Sequence, residues 1–277
     1  MHPAAEPLTL TQAAVLGVVQ GLTEFLPISS TAHLRVVPYF LGWHDPGAEF
    51  SAVIQLGTLI AVLIYFWRDV LKLIAGGIRG LVKRDLQVDT EARMAWGIAL
   101  GTIPVVVLGL TFKDFIKNEA RELWVISAAL IGLAVLLWWA EQRSKEDTTA
   151  EDLGFMPILW IGLCQALALI PGSSRSGSTI MGGLLVGLNR AEAARFSFLL
   201  GLPAILGSGL FELYELMQLG LGGVGASQLA VGIGMAFISG YVSIEFLLRF
   251  LRRYGTLAFV AYRIALGAWI GGLAWPG

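Results

Sequence analysis

Two polar stretches interrupt an otherwise apolar chain: Gln20-Gly-Leu-Thr-Glu24-Phe-Leu-Pro27-Ile-Ser29-Ser30-Thr31-Ala-His33 and Pro171-Gly172-Ser173-Ser174-Arg175-Ser176-Gly-Ser-Thr179. A carboxylate, an imidazole and a guanidinium within uncharged runs are costly at membrane depth, which makes each a functional candidate. In the second stretch, small residues let backbone N–H groups converge just before a helix begins. Such a helix start binds anions. Arg175 adds a planar fork matched to two phosphate oxygens, and the serines and Thr179 add donors. A Gly/Ser packing surface between membrane helices would explain the glycines and serines. It does not explain Arg175.

In the first stretch, Gln20 and Glu24 are four apart and share a helix face. Ser30 and His33, three apart, share a face of the returning helix. An acid, a hydroxyl and an imidazole around one break suit phosphoryl transfer, which needs a nucleophile, a base and a leaving-group partner. A buried Glu24–His33 pair that merely holds the hairpin is the structural alternative for His33. The convergence of Glu24, Ser30 and His33 with Arg175 favours chemistry. The chain has three histidines, and His2 is terminal while His44 lies in a loop. That argues against a three-His zinc site. Ser-Thr-Ala-His and Ser-Arg are similar to pieces of lipid phosphatases that form a phosphohistidine, but neither hairpin holds a second histidine. A divalent cation, Mg or Ca, bound by Glu24, Gln20 and the substrate's own phosphates fits better.

The elements that must position these residues follow from composition. The 277 residues are 56% hydrophobic and 14% charged, with mean hydropathy +0.73. Soluble domains carry about a quarter charged residues. The expected class is therefore an all-α polytopic integral membrane protein in one membrane domain, residues 1–277. Net charge −1 gives no support to a nucleic-acid partner. The single Cys164 excludes an intrachain disulfide and any cysteine-rich metal pattern. Residues 1–9 hold no Lys or Arg, so no signal-peptide n-region is expected.

Leu8–Phe25 and Thr31–Gly42 read as one helix-break-helix hairpin, since neither reaches the roughly 20 residues of a clean span. Phe155–Ile170 and Ser176–Leu188 read as a second. Phe50–Trp67, Met94–Phe112, Leu123–Ala140, Phe196–Phe211, Ser227–Ile244 and Gly255–Trp275 read as six full transmembrane helices. The halves align: Gly17-x-x-Gln20 leads to Pro27-x-Ser-Ser30, and Gly162-x-x-Gln165 leads to Pro171-Gly-Ser-Ser174. Phe50-Ser51 matches Phe196-Ser197. Ser30 and Ser174 occupy matching positions in this alignment. One hairpin plus three spans, repeated at about 8–140 and 155–275, gives an inverted repeat with two opposed re-entrant hairpins.

With the amino terminus outside, the inner loops carry thirteen Lys and Arg and the outer loops three, in accord with the positive-inside rule. Both termini are then outside. The basic 68–93 loop is read as a topology anchor in preference to an amphipathic surface helix. Tryptophans near span ends, such as Trp67, Trp124, Trp138, Trp139 and Trp275, read as an interfacial belt. A homodimer is admitted but not required.

Both long motifs, with Phe50-Ser-x-x-Ile-Gln-Leu-Gly57, Phe196-Ser-Phe-Leu-Leu and Tyr262-Arg263, resemble the undecaprenyl-diphosphate phosphatase family of the bacitracin-resistance type over nearly the whole chain. The resemblance implies removal of one phosphate from the C55 lipid diphosphate on the outer face of the inner membrane, recycling the carrier for cell-wall synthesis. By motif position it implies Glu24, Ser30, His33 and Arg175 as the catalytic set. Ser29, Ser174 and Thr179 would line the headgroup site, and Thr31, Gly172, Ser173 and Ser176 are the other substrate-binding candidates. Position 20 is Glu or Gln in that family. Gln20 here leaves Glu24 as the one carboxylate of the first motif.

Arg263, inside the last span, is open to three roles, a distant phosphate contact, an ion pair with Glu245 or snorkelling toward headgroups, of which the pairing is favoured. Glu49, which aligns with Arg195, is a gate candidate. The rival class is a transporter that flips the lipid phosphate, because inverted repeats with broken helices are also a transporter architecture.

Overall fold

The computed structural model describes residues 8–117, 119–219 and 224–274. The outer ends that would fix both termini, and Trp275, lie outside the described residues. Twelve α-helices are described: α1 Leu10–Phe25, α2 Ser30–Phe40, α3 Gly47–Tyr65, α4 Trp67–Lys83, α5 Thr90–Thr111, α6 Lys113–Lys117, α7 Leu123–Arg143, α8 Phe155–Ala166, α9 Arg175–Leu185, α10 Arg190–Leu219, α11 Ala226–Leu251 and α12 Leu257–Ala274. The fold is all-α and polytopic.

Four helices, α5, α7, α10 and α11, are long and apolar enough to cross a membrane, or five spans if the bent pair α3–α4 counts as one. Two of the six expected spans fall short of that measure. The chain turns by 84° after Tyr65, which ends α3, and α12 offers the shorter apolar run Leu257–Leu273. The hairpins form as α1–α2 and α8–α9. Each returning helix has 11 residues. At 1.5 Å per residue that is about 16 Å, half of a hydrocarbon core of about 30 Å.

The 68–93 segment, read above as a topology anchor, is helical through Lys83. Its apolar side chains recur every three to four residues, the condition for an amphipathic helix. Asp89 caps α5 by accepting the Ala92 N–H at 2.7 Å, and Arg79 donates to the same carboxylate at 2.7 Å. Those contacts hold the Asp89 carboxyl below the usual range.

Polar clasps gather at opposite ends of the long helices. At one end, the Glu141 carboxylate on α7 accepts from Arg190 on α10 and from Thr256 before α12, and Arg195 reaches Asp69 on α4 at 2.6 Å. At the other, Asp45 takes both Arg35 and Arg121, and Lys113 pairs with Glu215. Between them lies an apolar core around Phe25, Ile158, Leu184, Phe198 and Leu200. Helices α5 and α8 meet backbone to backbone: a Cβ on Gly162 would sit 2.5 Å from the Gly101 Cα. Small residues permit such contacts in membranes. Trp67, Trp124, Trp138 and Trp139 are exposed near helix ends.

Candidate active site

Both hairpins break the same way. Ser29, at φ 75°, caps α2 by accepting the Ala32 N–H, and Ser174, at φ 68°, caps α9 by accepting the Gly177 N–H. A non-glycine residue at positive φ is strained, and such strain collects at functional sites. The caps are matched further. Ser29 Oγ lies 3.1 Å from Thr31 Oγ1, and Ser174 Oγ lies 3.1 Å from Ser176 Oγ. The repeat register therefore differs by one residue from the sequence alignment. Ser174 corresponds to Ser29, and Ser30 corresponds to Arg175. A helix N-cap has to supply an oxygen to the third residue on, and this fixes the register more tightly than matching Ser-Ser pairs.

The two helix starts meet. The Gly172 N–H approaches Thr31 Oγ1 at 3.5 Å, and Ser176 Oγ donates to the Leu26 carbonyl at 3.1 Å. Each start carries about half a positive charge from its helix dipole, so the junction favours an anion. Glu24, at the end of α1, is buried here. Arg175 donates to its Oε1 from Nη2 at 3.1 Å and from Nε at 3.4 Å. Ser30 Oγ donates to Oε2 at 2.7 Å, and Gln20 Nε2 donates to the same oxygen at 3.0 Å. Arg175 Nη1 donates to the Ser197 carbonyl on α10 at 3.1 Å. Phe25 stacks edge-on against Phe198, with centroids 5.1 Å apart, and fixes the end of α1 against α10.

The structure thus joins Gln20, Glu24, Ser30 and Arg175 in one network, with Ser29, Thr31, Gly172, Ser174 and Ser176 around it. Thr179 turns its hydroxyl to the Arg175 carbonyl and to Ser197 Oγ, supporting the loop from behind. Ser173 Oγ is buried with no partner among the described residues. His33 is engaged elsewhere. Its Nδ1 bonds the Ser29 carbonyl and its Nε2 the Tyr262 hydroxyl, both at 2.7 Å. Ser30 gives its proton toward Glu24, not toward His33.

Arg263 does not pair with Glu245. It is fully buried and donates to five carbonyls: Pro27 in the first hairpin, Gly172 and Ser173 in the second, and Ala129 and Leu130 on α7. Glu245 instead takes Tyr65 and Arg249. Arg263 is the tie between the two hairpin tips, and a guanidinium with five donors can satisfy that many acceptors. Gly201 is a second residue that motif reading missed. A Cβ there would fall 2.5 Å from Arg175 Cζ, so the guanidinium lies directly against the bare α10 backbone. The neighbouring Phe196-Ser197 motif was the available signal for α10. Nothing marked Gly201 itself.

Among the described residues, no group of three His, Cys, Asp or Glu gathers to hold a metal. Gln20 Oε1, however, is a buried oxygen without a partner beside Glu24. The pair Gln20 and Glu24 therefore fits a hard cation that draws its remaining ligands from phosphate.

A polytopic helical membrane protein with an acid, a hydroxyl and an arginine at two opposed helix starts belongs to the class of intramembrane phosphate-handling proteins. The family model described as bacitracin resistance protein BacA matches residues 13–269. The chain is 54% identical over 260 residues to the undecaprenyl-diphosphatase of Myxococcus xanthus (strain DK1622), covering 94% of this chain and 87% of that one. It is 51% identical to the same-named protein of Chlorobium phaeovibrioides (strain DSM 265 / 1930), covering 94% and 95%. For that of Chlorobium phaeobacteroides (strain BS1), identity is 52%, covering 96% and 97%. The chain belongs to the BacA family.

Proposed function

We propose that this protein is the membrane phosphatase that hydrolyses undecaprenyl diphosphate to undecaprenyl phosphate and inorganic phosphate. It thereby recycles the lipid carrier for cell-wall synthesis and gives bacitracin resistance. The carrying observation is the chain from Arg175 through Glu24 to Ser30 at the junction of two helix starts.

Arg175 releases Glu24 Oε1 and takes two oxygens of the terminal phosphate, while the N–H groups of the α2 and α9 starts take others. Glu24 Oε2 removes the Ser30 proton along the existing hydrogen bond. Ser30 Oγ attacks the terminal phosphorus and the lipid monophosphate leaves. Water then releases inorganic phosphate from Ser30. His33 holds the Ser29 carbonyl through Nδ1, and Tyr262 fixes the ring through Nε2, which steadies the strained cap beside the nucleophile. Gln20 and Glu24 would hold a divalent cation, Mg or Ca, which when bound neutralises phosphate charge. Positioning and electrostatics supply most of the acceleration in phosphoryl transfer.

The membrane arrangement we propose has six full spans and two opposed re-entrant hairpins, in inverted repeats at about 8–140 and 155–275. Support comes from the half-membrane length of α2 and α9 and from their matched caps. Both termini lie outside, and the site opens to the outer face of the inner membrane beside Thr31 and His33. The distribution of loop charges supports that orientation.

The test is phosphate release from undecaprenyl diphosphate by purified protein in detergent, with Mg or Ca supplied. Stoichiometric phosphate and lipid monophosphate are expected. No release with any divalent cation would overturn the enzyme assignment, since flipping has no meaning without two compartments.

A further inference from the structure

Helix α4 presents a surface that the phosphatase chemistry does not use. Trp67, Leu71, Ile74, Ile78 and Leu81 form one stripe, each more than half exposed. The exposed Ile60 and Ile64 of α3 lead into it across the 84° bend. The opposite face is the packed one: Gly76 lies against Glu91 and Ala92 of α5, and Gly80 against Trp96. The stripe thus has no partner within the described chain. Arg68, Lys72, Lys83 and Arg84 are exposed along the helix, and its one acid, Asp69, is taken by Arg195. The alternating four-and-three spacing would also suit a helix seam with a second copy. Two such helices would bring like charges together along the seam, which disfavours pairing. The same charges complement anionic headgroups.

We propose that α4 is an in-plane anchor whose apolar stripe sinks into the acyl boundary of the leaflet at the basic end of the protein, while its Arg and Lys residues bind anionic phospholipid. This rests on the membrane-spanning assignment above. The test uses the full chain carrying Cys164→Ala and one spin label, in nanodiscs of phosphatidylcholine with or without phosphatidylglycerol. Labels are placed through Ile74→Cys on the stripe, Leu136→Cys on the exposed side of α7, and Gln87→Cys in the loop after α4. The Ile74 label is expected to collide with oxygen and to be shielded several-fold from a water-soluble nickel reagent relative to the Gln87 label. Phosphatidylglycerol should deepen it, and Lys83→Gln with Arg84→Gln should remove that deepening.

A nickel accessibility at position 74 equal to that at 87 in both lipids overturns the proposal, as does a depth indifferent to phosphatidylglycerol. Strong dipolar coupling between Ile74 labels of two copies also overturns it, in favour of a dimer seam. A water-exposed Leu136 label would instead overturn the spanning assignment, so the two failures are separable.

Discussion

Replacing Gly201 with alanine is expected to lower activity about 100-fold while weakening the fold only slightly. The new methyl carbon would fall 2.5 Å from Arg175 Cζ, where ordinary contact begins at 3.4 Å. The guanidinium is the mobile partner, and because Nη1 lies nearer still than Cζ it moves off by more than about 1 Å; a displacement of about 1 Å at a reacting centre already costs about 100-fold. The bonds it strains are those to Glu24 at 3.1 Å and to the Ser197 carbonyl at 3.1 Å. Hydrogen bonds from a charged group are each worth about 1.5–3 kcal/mol, and 100-fold corresponds to about 2.7 kcal/mol, so impairment of one bond suffices. Stability should fall by less than that bond is worth, because alanine exceeds glycine in helix propensity by about 1 kcal/mol and offsets part of the loss. The assay pairs phosphate release from the lipid diphosphate with thermal unfolding followed by circular dichroism. Gly207→Ala is the control on the same helix, since nothing lies within 4 Å of a Cβ there. A Gly201→Ala enzyme with wild-type turnover would refute the seating of Arg175 on α10. A loss of turnover with a destabilisation well beyond the roughly 3 kcal/mol of one charged hydrogen bond would mean that helix packing, not arginine placement, was disturbed.

Arg263→Met should take the donor from three buried hairpin-tip carbonyls, those of Pro27, Gly172 and Ser173, at about 1–3 kcal/mol for each group left unsatisfied, and thermal unfolding should show a severe loss, whereas Glu245→Gln should stay within about 1 kcal/mol of wild type. Arg175→Lys keeps the charge but not the fork, so steady-state kinetics should show a fall of about 30- to 1000-fold in turnover, and near-normal turnover would make Arg175 structural. Ser30→Ala should depress kcat with little change in KM, while Ser174→Ala, which removes a helix cap worth about 1 kcal/mol, should act partly on KM; the reverse pattern would exchange their roles. Glu24→Gln should abolish stimulation by Mg or Ca as well as lower the rate, and a metal titration unchanged from wild type would remove the cation from Glu24.

The membrane class and the chemistry were legible in the sequence because both depend on residue type. Uncharged runs report lipid contact wherever they fold, and Glu24, Ser30 and Arg175 stand out because ionised or hydroxylated groups are dear in such runs. The hairpins were legible for a local reason too, since Pro27 and Pro171-Gly172 break helices whatever surrounds them. The partners of Arg263 were not. They are backbone carbonyls, which every residue carries, so no residue type announces them, whereas Glu245 offered an opposite charge that geometry does not bring near. Tyr262 lies 229 residues from His33, and only the packing of α12 against the first hairpin joins them. Gly201 reads as one small residue among many until Arg175 is laid upon it. The one-residue shift between the repeats was likewise decided in three dimensions, because a cap is defined by which N–H a side-chain oxygen reaches, not by its place in a run of serines. Helix α4 shows the same division. Its charges were visible as a basic loop, but that its apolar stripe turns away from the rest of the protein was decided by the turn after Tyr65 and by the contact of Gly76 and Gly80 with α5.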